Sequence, residues 1–179
     1  MANNTKVFSS KHENLVASIL GGNVVPGSGA RPVTPGDVKA DEWLAECKTH
    51  ETPGHTIFFD INVWQKICDE AMAVHRKPVL IVDDGSQKEE FNWCLCRMIN
   101  IEQANYLTVD FPFAIKKNIS AKHDKLKQFL EDKTKRYIGE FFQGGFYSVD
   151  WAGEKLAIIP LSLFKEGSEE HTSELQSRI

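Results

Sequence analysis

The chain has 179 residues, of which 41% are apolar and 26% charged, and its formal net charge is −4. That length and apolar share suit one domain with a genuine core, and they exclude collagen, a coiled coil and a wholly disordered chain. The near-neutral balance argues against a broad nucleic-acid glove, though not against a local basic groove. No apolar run reaches the length of a membrane span and no charged-then-apolar leader opens the sequence, so no membrane partner is expected. Cys47, Cys68, Cys94 and Cys96 form no CxxC pair, which fits a reduced, cytoplasmic setting.

Residues 168–179 stand apart. SEEHTSELQSR looks like the translation of a sequencing-library adapter, so the tail is expected to be adventitious and residues 1–167 to form the domain. Removing it takes away three Glu and one Arg, which brings the net charge to −2.

In chain order, residues 1–9 are polar and expected to be loose. Lys11–Leu20 carries helical spacing and stops at Gly21-Gly22. A short strand at 23–25 precedes PGSGARPVTPG, a loop dense in Gly and Pro. Two short strands follow, at 37–40 and 43–49, then an apolar stretch, Thr56-Ile-Phe-Phe. Asn62–Arg76 reads as a helix with Val63, Ile67, Ala71 and Val74 inward, and PVLIV (78–82) as a buried strand ending at Asp83-Asp84-Gly85-Ser86. Residues 89–100 fit helix or strand. Lys122–Tyr137 reads as a helix with Leu126, Phe129, Leu130 and Ile138 inward, and 145–164 as a β-hairpin turning near Ala152-Gly153-Glu154. The order is α-β-β-β-α-β over about 10–86, then a mixed α+β extension over 87–167: one α/β domain.

The informative segment is GDVKADEWLAECK, residues 36–48. A hairpin turning at Asp41-Glu42 sets Ala40 against Trp43 and therefore Asp37 against Glu46. With a period of two, Lys48 shares the face of Glu46 while Cys47 points away. Carboxylates directly opposite each other repel and weaken a sheet. A divalent cation between them reverses that sign, because Mg²⁺ takes carboxylate oxygens and can polarise a phosphoryl oxygen and help generate hydroxide. Lys48 adds a positive charge to orient the water or stabilise the developing phosphorane. These are parts for phosphodiester hydrolysis. The plain alternative is a solvated strand face, the default for charges at this spacing.

At these residues the sequence resembles the PD-(D/E)XK nuclease superfamily, and within it Holliday-junction resolvases and related phage endonucleases. The motif residues are Asp37 and Glu46-Cys47-Lys48. The resemblance implies a restriction-endonuclease-like αβββαβ core, with Asp37 and Glu46 as metal ligands and Lys48 as the residue positioning the nucleophile. Many members place a further acid on the first helix, where Glu13 stands here; an ordinary surface Glu is the alternative. Archaeal-type resolvases carry a serine in a small-residue loop before the first motif acid, and Ser28 in GSGAR resembles it, as a substrate contact or merely a turn. Gly36 replaces the motif proline. The implied cofactor is Mg²⁺, with Mn²⁺ as substitute, and the implied partners are branched DNA and a second copy of the chain. The setting is the host cytoplasm if the protein is phage-encoded.

Other features have plainer readings. Gln65 on the second helix reads as solvent-facing, Asp83-Asp84 as a turn signal, and Cys94 and Cys96 as core thiols. His12, His50, His55, His75 and His123 show no metal-ligand spacing. The lysines between 116 and 136 are interrupted by Asp124, Glu131 and Asp132, as on a solvated face. The expected function is a Mg²⁺-dependent DNA endonuclease acting on branched or structured DNA. The rivals are a non-catalytic DNA-binding or assembly protein on the same fold, and a sequence-specific restriction-type nuclease whose second half reads bases.

Overall fold

The run KPVLIVD offers no polar face, as befits a strand covered on both sides. The computed structural model, which describes residues 4–27, 35–101, 105–139 and 142–164, makes it the central strand β5 (Lys77–Asp83). Before it come α1 (Asn4–Leu20), β1 (Asn23–Val24), β2 (Val38–Lys39), β3 (Trp43–Lys48), β4 (Ile57–Phe59) and α2 (Ile61–Ala73). After it come β6 (Asn92–Arg97), β7 (Tyr106–Asp110), β8 (Ile119–Ala121), α3 (His123–Thr134), β9 (Gly144–Trp151) and β10 (Glu154–Pro160).

The result is a mixed α/β fold. Among the described residues one eight-stranded sheet runs β1-β2-β3-β5-β6-β10-β9-β7, and β4 and β8 pair separately. β1, β2 and β3 are successively antiparallel, and β5 lies parallel to β3 after the crossover through α2. The strands of the second half other than β8 continue this sheet, because β6 pairs with β5, β10 with β6, β9 with β10 and β7 with β9. Apolar residues alternate between its two faces. Ala45, Val79, Ile81, Cys94 and Cys96 pack on the side of α1 with Val16. Leu44, Leu80 and Tyr147 pack on the side of α2 and α3 with Trp64 and Leu126.

Several sequence expectations are corrected. Within the expected loose stretch, residues 4–9 are helical, since α1 already begins at Asn4. Tertiary bonds hold that end: Thr5 donates to Glu51, and the Phe8 carbonyl accepts from Gln87. The ambiguous 89–100 segment is a strand, β6, between short 3₁₀ turns. On α2 the inward residue of the first turn is Trp64, fully buried, while Val63 is only partly covered. α3 stops at Thr134, whose hydroxyl donates to the Leu130 carbonyl, so Ile138 lies beyond the helix and is 45% exposed instead of inward. The hairpin of β9 and β10 closes through Ala152 and Gly153, both at positive φ, which matches the twist of the two strands. The 168–179 tail lies outside the described residues.

α2 carries the crossover, and Asp60 starts it by accepting from the N–H groups of Asn62 and Val63. Losing that cap should cost about 1 kcal/mol. Asp60→Ala is therefore expected to lower the urea midpoint with an unchanged m-value.

Candidate active site

The hairpin of β2 and β3 pairs Val38 with Ala45 and Lys39 with Leu44, and the pairing stops there: the expected pair of Asp37 with Glu46 is not formed. β2 proper is shorter than the expected 37–40 strand. Asp37 stands one residue before it, with its N–H donating to the Ala45 carbonyl and its own carbonyl accepting from Val25. The cause is Gly36, whose φ of +67° turns the chain just ahead of the acid. A Cβ at Gly36 would also meet the Leu44 side chain at 2.7 Å. Gly36→Ala should thus cost about 1–3 kcal/mol and displace Asp37, which a thermal melt and the loss of cleavage would both register.

Alternation along β3 sends Cys47 into the core beside α1 and turns Glu46 and Lys48 to the α2 side. Glu46 is no solvated residue, with only 5% exposure. Its carboxylate is held by the Lys48 amine at 2.8 Å, with the Lys66 amine 3.9 Å away. The Asp37 carboxylate accepts from the Cys47 N–H at 2.9 Å. α1 brings in Glu13, partly buried, in the turn below the core residues Val16 and Ala17.

The electrostatics couple these groups. Burial, then the charges of Asp37 and Glu46, push the Glu13 carboxyl up to about 7, against a smaller opposing pull from Lys48. Burial drives the Cys47 thiol well above its ordinary value, and the charges of Asp37, Glu13 and Glu46 add to that. Burial alone would lower the Lys48 amine, but the charge and hydrogen bond of Glu46, with Asp37 behind them, outweigh it and hold Lys48 above its usual value. Lys48 is a permanent cation here, not a base.

Two helix residues in this network escape sequence reading. Lys66 bridges Glu46 to Glu70, and Glu70 accepts from the Gly36 N–H at 2.8 Å. The i,i+4 spacing of Lys66 and Glu70 was visible, but it is the ordinary spacing of an exposed pair, and only the fold of β3 against α2 aims it at the site. Gln65, one residue earlier, faces solvent. The end of β3 is fixed from β5: Asp83 accepts from the Thr49 hydroxyl and from the Gln87 N–H. Asp84 closes the turn by accepting from the Ser86 and Gly54 N–H groups. His12, beside Glu13, is buried against Asn92, its Nε2 lying 2.7 Å from Asn92 Oδ1. Ser28 lies outside the described residues.

Among the described residues no group of three or more His, Cys, Asp or Glu side chains is arranged to hold a metal ion. The donor chemistry of Glu13, Asp37 and Glu46 still suits a hard divalent cation, and the Glu13 carboxyl is raised first by burial and then by the charges of Asp37 and Glu46, which added positive charge would offset. No helix of the described residues is long and apolar enough to cross a membrane. No family model matches the chain, and neither a curated protein nor a solved structure does.

Proposed function

We propose that the chain is a metal-dependent DNA endonuclease that hydrolyses phosphodiester bonds in branched or structured DNA. The observation that carries this reading is the buried Glu46 carboxylate held 2.8 Å from the Lys48 ammonium, beside an Asp37 carboxylate that accepts from the N–H of Cys47, the residue between them. Acids held in mutual repulsion reduce stability, so their convergence makes sense where a cation belongs to the working state. The order is α1-β1-β2-β3-β4-α2-β5, with β3 and β5 parallel; once β4, which pairs apart with β8, is set aside, it is in keeping with the αβββαβ nuclease core that the motif resembles.

Asp37, Glu46 and Glu13 would hold Mg²⁺, or Mn²⁺ in its place. Such an ion supplies Lewis acidity at the phosphoryl oxygen and lowers the pKa of water. Glu46 also fixes the Lys48 ammonium, so that a charge standing 2.8 Å from the carboxylate faces the phosphate and the attacking water. Lys66 and Glu70 restrain Glu46 and the backbone of Gly36, the residue that aims Asp37. The partner is DNA, and a homodimer follows from the resolvase resemblance.

A second reading, a non-catalytic DNA-binding or assembly protein, draws on one observation: Glu46 is already satisfied by Lys48, without a three-ligand group among the described residues. Cleavage of linear duplex, flap and four-way-junction DNA with and without Mg²⁺ separates the two. The nuclease reading expects metal-dependent cutting of the branched substrates. No cutting on any geometry with Mg²⁺ or Mn²⁺ leaves the binding protein.

A further inference from the structure

Beside Lys48, on the same side of the sheet, opens a cavity of about 570 Å³. That is the size of a small-ligand site. Its apolar lining comes from Leu80 and Val82 of β5 and Val63 of α2. One wall is the β4–β8 ribbon. There Ile57 and Phe59 turn into the core, so Phe58 between them turns outward and is 42% exposed, directly across from Ser120. The lining also includes the loop after β3, in which the His50 and His55 rings stack at 4.0 Å and within 13° of parallel. Burial and then the neighbouring His55 lower the pKa of His50, so that ring is neutral at neutral pH.

The lining chemistry selects among occupants. Lys48, at one end, is the cation of the lining; the carboxylate there, Asp60, is engaged as the cap of α2. A phosphate group therefore belongs at Lys48. The rest presents exposed aromatic faces, an apolar floor and the hydroxyls of Thr56 and Ser120. Flat π-faces with polar edges match that set, which is the description of a nucleobase. Inside a duplex a base is stacked and paired and cannot enter; an unpaired base can do so at little cost.

We propose that this groove takes one unpaired nucleobase of the strand whose phosphate lies at Lys48, stacking it on Phe58, so that the protein selects DNA with unpaired nucleotides beside the cut. The inference rests on the nuclease reading for the position of the phosphate, but binding tests it separately.

The test uses the wild-type protein in EDTA, where binding is measured without cleavage. Two fluorescein-labelled flap DNAs are compared, identical except that the first unpaired nucleotides carry either bases or abasic sites. The base-bearing flap is expected to bind about ten times more tightly, in line with the usual worth of one base–aromatic stack. Phe58→Ala should remove most of that ratio, Phe58→Trp should restore it, and Ser120→Trp, which fills the groove from an exposed position, should abolish it in a chain with an unchanged melt. A 2-aminopurine at the first unpaired position should change its emission on binding the wild type but not Phe58→Ala. Equal affinity for the two flaps, or an equal loss for both in Phe58→Ala, overturns the proposal and points to another occupant of the groove. Metal-dependent cleavage is scored separately. A protein that cuts but ignores the base refutes the groove alone, and one that reads the base but never cuts refutes the nuclease reading alone.

Discussion

Asp37→Asn is expected to reduce Mg²⁺-dependent cleavage by at least about a thousandfold while leaving DNA binding equal or tighter. The amide keeps an oxygen that can accept from the Cys47 N–H, so the backbone contact at 2.9 Å survives and only the charge is lost. Removing one negative charge facing the phosphates also favours binding. Lys48→Ala should abolish cleavage too, with weaker or unchanged binding, but it differs in stability. It strips the near partner from a carboxylate with 5% exposure, leaving Lys66 at 3.9 Å, and should cost about 1–3 kcal/mol. Rates are therefore to be compared well below both melting temperatures, with Lys48→Arg as the variant that keeps a cation on Glu46. If the acids were merely structural, there would be no parent cleavage to lose.

The second large effect is linked to pH through Glu13. Its carboxyl titrates near 7 in the folded chain against 4.5 for the ordinary group. Between those values the folded chain holds a proton that the unfolded chain has released, so metal-free stability falls as pH rises from about 4.5 through 7 and levels off above. For a half-buried acid screened by solvent the loss is about 1 kcal/mol. Glu13→Gln should therefore raise the melting temperature at pH 8 and change little at pH 4.5. Mg²⁺ should act in the same direction in the wild type, raising the melting temperature more at pH 8 than at pH 6, because binding must displace the Glu13 proton. Calorimetry in two buffers of different ionisation enthalpy reads that proton release directly. A Mg²⁺ effect independent of pH between 6 and 8 would remove Glu13 from the ligand set.

Much of the hairpin site was legible because its information is local. A turn at Asp41-Glu42 and a period of two suffice to set the pairs Val38–Ala45 and Lys39–Leu44 and to put Lys48 on the face of Glu46; Asp37 leaves that register, because its N–H bonds to the Ala45 carbonyl behind the bend at Gly36. The buried strand 78–82 and the hairpin were legible for the same reason, composition on one side and turn chemistry on the other, although the second strand ends at Pro160 and residues 161–164 are helical instead of completing the expected 145–164 hairpin. The strand at Asn92–Arg97 was not, since NWCLCR is short and apolar and fits a buried helix equally well until β5 and β10 supply its partners. Ile138 was misplaced because helical spacing continues past Thr134, where the helix itself ends.

The amino-acid order by itself thus determined the α/β class, the hairpin register and the residue types capable of the chemistry, all of which depend on neighbours within a few positions. Only the tertiary structure decided that Glu46 is buried and clasped by Lys48, that Glu13 titrates near 7, and that Lys66 and Glu70 brace the site from α2. It also decided that Phe58 and the paired histidines face a cavity beside Lys48. Burial, desolvation and charge coupling depend on distances between segments far apart in the chain. Those distances are set by the packing of helices on the sheet, which local periodicity does not encode.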